Sequence, residues 1–173
     1  MILCNGASFG TGLCRSANMV ITTRIEDDEV VYRRVRNAPE EYAIINGVVR
    51  ISANAFRDPK LEPSVVRSLL CNRDPNHAIK DYPDHGVVSL VSSDIRKIKT
   101  TVFDKKRKPV STHATDVLHR PNKKNRSHAI ITALPSFPSE HGFNRLKEAL
   151  SQLATKAGFT ILPQNERKKI TKL

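Results

Sequence analysis

Residues 129–158 read AIITALPSFPSEHGFNRLKEALSQLATKAG, and this stretch holds one strand and one helix back to back. Ala129-Ile130-Ile131-Thr132-Ala133-Leu134 is apolar on both faces of a two-residue period and stops at Pro135, the pattern of a strand buried in the middle of a sheet. Beyond the prolines, Phe143, Leu146, Leu150, Leu153, Ala154 and Ala157 recur at intervals of three and four, with Arg145, Lys147, Glu148 and Lys156 on the opposite side. Ser139 is placed to cap this amphipathic helix, and Gly158 to end it in a left-handed conformation.

Working outward, strands outnumber helices. Val30–Val35, Gly47–Ser52, Val87–Val91 and Lys99–Phe103 are β-branched or alternating, and Phe159–Leu162 returns as a short strand after the helix. Pro63 opens a short helical pattern in which Val65, Val66, Leu69 and Leu70 share a face. Pro39–Tyr42 is expected to be a helical turn or a loop, and Ser92-Ser93-Asp94 either caps a short helix or continues a strand. Without regular strand–helix alternation, these elements predict an α+β fold: a small, mostly antiparallel or mixed sheet, one C-terminal amphipathic helix, and one or two short helices.

The chain of 173 residues suits one such domain, expected over residues 19–163 with a basic tail over 164–173. Residues 1–18 carry three glycines, two cysteines and a single charge, Arg15, and are expected to be a disordered or non-native leader ahead of a natural start at Met19. Gly6, Gly10 and Gly12 do not form a phosphate-binding loop, because Leu13 and Cys14 stand where Lys and Ser or Thr must follow. No stretch approaches the roughly 20 apolar residues of a membrane-spanning helix. Cys4, Cys14 and Cys71 make neither a closed disulfide set nor a four-ligand zinc site, so a reducing cytoplasm, no metal and no cofactor are expected.

The formal net charge of +12 is concentrated. Residues 96–126 hold Arg96, Lys97, Lys99, Lys105, Lys106, Arg107, Lys108, Arg120, Lys123, Lys124 and Arg126 against only Asp104 and Asp116. Arg167, Lys168, Lys169 and Lys172 against Glu166 supply the rest, and the remaining residues sum to zero. A local cationic field concentrates polyanions and supplies phosphate contacts, so nucleic acid is the expected partner, gripped by its backbone without sequence readout. Among aromatics only Phe103 interleaves with the basic run, which argues against base stacking. The expectation requires the basic segments to meet on one face. An interaction subunit for an acidic protein is a further expectation from the same charge.

All six histidines lie between His77 and His141. His113, His119 and His128 sit within the basic segment, where two imidazoles beside phosphate-binding lysines have the chemistry of a metal-independent ribonuclease. His113-Ala114-Thr115 is similar to half of the paired His-x-Thr motif of two-histidine phosphoesterases, but His128 is followed by Ala129-Ile130 and the second half is missing. Arg33, Ser52 and Glu140 or Glu148 are the residues a toxin-like ADP-ribosyltransferase would use, the cation for a pyrophosphate and the carboxylate for an oxocarbenium ion. Finally, Tyr32-Arg33-Arg34, Ser52 to Arg57, Ser64-Val65, Gly86 to Leu90 and His128-Ala129-Ile130 together resemble small uncharacterised bacterial proteins over about residues 30–131. The resemblance implies a prokaryotic, intracellular setting and no particular site residues.

Overall fold

The structure, a computed structural model, describes residues 24–137 and 139–171. The expected leader and the start at Met19 lie outside the described residues. The fold is α+β. Seven antiparallel strands form one sheet in the order β6-β7-β8-β4-β1-β5-β9, and β2 and β3 form a separate two-stranded ribbon. The strands are β1 (Val30–Val35), β2 (Tyr42–Ile45), β3 (Val48–Ile51), β4 (Ser64–Arg67), β5 (Gly86–Val91), β6 (Lys99–Phe103), β7 (Pro109–His119), β8 (His128–Leu134) and β9 (Phe159–Ile161). The helices are α1 (Ser92–Arg96), α2 (Glu140–Ala157) and α3 (Gln164–Ile170).

Residue alternation decides which side of the sheet is the main core. Val31 and Val35 of β1, Val65 of β4, Val88 and Leu90 of β5, Val117 of β7, and Ala129 and Ile131 of β8 all face α2, which lays Phe143, Leu146, Leu150 and Ala154 on them. Burying each large apolar side chain stabilises the fold by roughly 1.5–3 kcal/mol. The helix ends at Gly158, whose φ of 73° and ψ of −176° lie in a region open essentially to glycine alone. Ser139 occupies the N-cap position, but its side chain makes no capping hydrogen bond.

The segment after Pro63 is a strand, not the expected helix. Ser64–Arg67 pairs with both β1 and β8, so Val65 and Arg67 face the core while Ser64 and Val66 face the other side. Pairing on both edges satisfies the backbone of this β-branched segment better than one isolated helical turn would. Leu69–Cys71 then forms a single 3-10 turn. The opposite side of the sheet carries a smaller cluster of Tyr32, Cys71, Ile79 and Val87, covered among the described residues by the 3-10 turn Pro75–Ile79 and the loop behind it. That partial cover leaves a depression. The C-terminal basic segment is largely the helix α3, tied down by Gln164 N donating to the Asp84 carbonyl at 2.9 Å and Arg167 Nη2 donating to the Pro83 carbonyl at 2.7 Å.

Candidate anion-binding groove

The floor of the depression follows from register. Arg34 of β1 and Ser64 of β4 point to the partly covered side, as do His128 and Ile130 of β8, because Tyr32 pairs with Val66, Val66 with His128 and Ser64 with Ile130. Three adjoining hollows meet at Ser64. The first, about 210 Å³, is lined by Tyr32, Arg33, Arg34, His77, Lys80, Tyr82, Lys124, Asn125 and His128 among others. The second, about 390 Å³, lies between the 58–62 loop and Arg120, His128 and Ile130. The third, about 490 Å³, is bordered by Arg33, Arg34, Arg36, Arg57 and Asp58.

Two of these cations are held in an uncommon way. Arg33 is partly buried, and its Nε and Nη1 donate to the carbonyls of Ala55 and Ser64 at 2.8 and 2.7 Å, with the guanidinium 5.8 Å from the centre of the Phe56 ring. Burial pulls its pKa down to about 10, opposed by the nearby Glu41 carboxylate. Arg34 stacks on the half-exposed Tyr82 ring at 4.0 Å, and the His85 ring stacks on the same tyrosine at 5.1 Å. Neither arginine forms an ion pair among the described residues. Arg67, buried in the same molecule, is met by Glu29 with both carboxylate oxygens at 3.0 and 2.8 Å. Arg33 thus spends Nε and Nη1 on backbone carbonyls, whereas Arg34 meets a ring and no carboxylate among the described residues.

The expected basic segment divides. Arg120 and Lys124 line the groove, and Lys123 and Arg126 are exposed on the same turn, shaped by Asn122 Oδ1 accepting from the backbone N–H groups of Lys124 and Asn125. Lys105, Lys106, Arg107 and Lys108 form the exposed tip of the β6–β7 hairpin, with Asp104 accepting from the backbone N–H groups of Lys106 and Lys108. β7 joins tip to turn over 11 residues, which sets them about 33 Å apart. They do not share one patch, so the single basic face expected from the sequence does not form, and only Arg120 and Lys124 of the run line the groove. Arg96 is bound to Asp27, Asp116 and the Ile25 carbonyl, Lys97 to Asp94, and Lys99 is exposed on the edge strand. Phe103 is capped by the Arg145 guanidinium at 4.9 Å.

The three nominated histidines are also separated. His113 is 2% exposed, donates from Nδ1 to the Pro135 carbonyl at 2.6 Å, bonds Ser111 through Nε2 at 2.7 Å and packs against Phe137. It is a structural residue of the β7–β8 ladder. His119 is six residues further along β7, about 20 Å away. It pairs with Ala129 and so faces the side of the sheet opposite to His128, its Nε2 at 2.9 Å from the Arg126 carbonyl. Only His128 opens onto the groove, where His77, on the 3-10 turn, joins it. Of the transferase residues, Arg33 lines the groove, whereas Ser52 caps a 3-10 turn and the exposed Glu140 and Glu148 on α2 border none of the three hollows.

Sequence reading missed Arg34, Arg57, Lys60 and Lys80, which lie outside the basic run. The signal for Arg34 was present: it falls on the phase opposite to Val31 and Val35 of the strand, beside Arg33. Among the described residues no group of three His, Cys, Asp or Glu side chains is placed to hold a metal ion, and no helix is long and apolar enough to cross a membrane. Compared with protein-family models, curated proteins and solved structures, the chain matches none.

Proposed function

We propose that the protein binds the phosphate backbone of nucleic acid in the groove over β1, β4 and β8, without reading sequence. The observation that carries this is Arg34, whose guanidinium lies over the Tyr82 ring at the edge of an open hollow and forms no ion pair among the described residues, while Arg33, on the opposite phase of β1, borders the same hollow and holds the Ser64 carbonyl. A partly desolvated cation with spare donors gains more from an arriving phosphate than a fully solvated one. Arg120 and Lys124 extend the same surface from the turn between β7 and β8. The hairpin tip Lys105–Lys108 contributes a distant, solvated field that raises the encounter rate. Base recognition finds little support, because of the two tyrosines at the groove Tyr32 is buried and Tyr82 is already engaged by Arg34 and His85.

Titration of the isotopically labelled chain with a short single-stranded oligonucleotide tests the reading. Amide resonances of Ser64, Tyr82, Lys124 and His128 are expected to shift together and more than those of the hairpin tip. Shifts confined to the tip, or none, would remove the groove from the account.

A further inference from the structure

Ser64 and His128 face each other in this groove, with Oγ 3.3 Å from Nε2. The imidazole's other nitrogen, Nδ1, lies 2.6 Å from the Arg120 carbonyl oxygen. A carbonyl can only accept, so Nδ1 carries the hydrogen, and in the neutral ring Nε2 presents a lone pair to the serine hydroxyl. This is the tautomer a general base needs, and the distance is in the looser range usual before a substrate arrives.

The pair is set by strand register rather than by loops. Ser64 and His128 are diagonal neighbours on paired strands β4 and β8, and Arg33 Nη1 holds the serine's own carbonyl at 2.7 Å. Both side chains border the first two hollows, so the hydroxyl is reachable from either side. Arg34, Arg120 and Lys124 border those hollows too, placed to offset the negative charge that builds on the non-bridging oxygens during displacement at phosphorus.

We infer that Ser64 is a nucleophile and His128 its general base in phosphodiester cleavage, an activity that rests on the phosphate-binding reading of the same groove. In the first step Ser64 Oγ bonds to phosphorus as its proton passes to His128 Nε2. The phosphorus–oxygen bond to the leaving alcohol breaks, and that oxygen takes the proton from Nε2. The product is a phosphoserine diester. Water then attacks phosphorus, giving its proton to Nε2, and the serine–phosphorus bond breaks with Oγ recovering the proton. The sum is phosphodiester plus water to phosphomonoester plus alcohol, with no oxidation or reduction.

The test uses the full chain with bis(4-nitrophenyl) phosphate, following 4-nitrophenolate release and the acid-quenched protein by mass spectrometry, alongside binding of a short oligonucleotide. A stoichiometric burst is expected, with the 4-nitrophenyl phosphoryl adduct on the peptide that carries Ser64. Ser64→Ala should lose burst and adduct, and His128→Gln should slow the burst about a hundredfold or more, both variants keeping the wild-type circular dichroism. A wild-type chain that binds the oligonucleotide yet neither releases nitrophenolate nor carries the adduct overturns this inference and leaves the binding function standing. Failure to bind overturns the binding function itself. Release that survives Ser64→Ala and falls in His128→Gln assigns the attack to another group and also overturns the inference.

Discussion

Arg33 donates from Nη1 to the backbone carbonyl of Ser64 at 2.7 Å, so a cation that forms no ion pair among the described residues fixes the strand that forms the centre of the groove. Replacing Arg33 with Met removes two hydrogen bonds from a charged donor and leaves the Ala55 and Ser64 carbonyls short of a partner. Urea unfolding should show a loss of about 1–3 kcal/mol. The variant should also lose most of the stabilisation that added oligonucleotide gives the wild-type chain.

The two-pronged pair of Arg67 and Glu29 is fully enclosed, with both side chains at most 2% exposed. Removing one member strands a charge in the core. Glu29→Gln or Arg67→Met should therefore cost about 3–5 kcal/mol in urea unfolding, while the double replacement should cost less than the sum of the two.

Gly142 lies in the first turn of α2, where a Cβ would come within 2.5 Å of the Phe137 ring and 3.0 Å of Val102. Alanine gains about 1 kcal/mol over glycine in helix propensity, but overpacking against a ring in a closed core costs about 1–3 kcal/mol. Gly142→Ala is thus expected to lower the thermal midpoint, where propensity alone would raise it. For comparison, Leu150→Ala opens a cavity under the same helix and should cost about 2–5 kcal/mol.

How much of this was legible in the sequence depends on whether the deciding contacts were local. The helix α2 was, because its buried face repeats along one continuous stretch from Phe143 to Ala154. So were β1, β5, β6 and β8, whose period is written in their own residues. Val65-Val66 was not, since two apolar neighbours fit a helix face or a strand equally well, and only the long-range partners Tyr32 and Ala129 choose between them. The β2–β3 ribbon had a local signal: Asn46-Gly47, at φ of 52° and 76°, makes the tight turn that sets Tyr42–Ile45 against Val48–Ile51. β7 was hidden because Ser111, Thr112, His113, Thr115 and Asp116 leave it little apolar alternation. The groove was the least legible part. Its cations come from β1, the 57–60 loop, Lys80 and the 120–124 turn, so no window along the chain contains them, whereas the conspicuous run Lys105–Lys108 marks a hairpin tip far from the groove.

Cys71 packs into the smaller cluster, its thiol donating to the Arg67 and Ser68 carbonyls at 3.2 and 3.4 Å. Burial, aided by Asp74, pushes its pKa from 9.0 up to about 11. The folded state thus holds the proton more tightly than the unfolded state does. The stabilisation is complete below about pH 9 and is lost as pH rises towards 11. In a chain with Cys4 and Cys14 replaced by Ser, iodoacetamide should label Cys71 far more slowly at mildly alkaline pH than it labels the urea-unfolded chain. Equal rates would place the thiol at the surface.

The salt dependence of oligonucleotide binding tests the central claim most directly. Each phosphate neutralised on a single strand contributes about 0.7 to the slope of log affinity against log salt. Replacing Arg34, Arg120 and Lys124 together with Ala should flatten the slope by about 2, three contacts' worth, while replacing Lys105, Lys106, Arg107 and Lys108 should slow association and leave the slope nearly intact. A groove variant that keeps the wild-type slope, with the hairpin-tip variant losing it, would contradict the account.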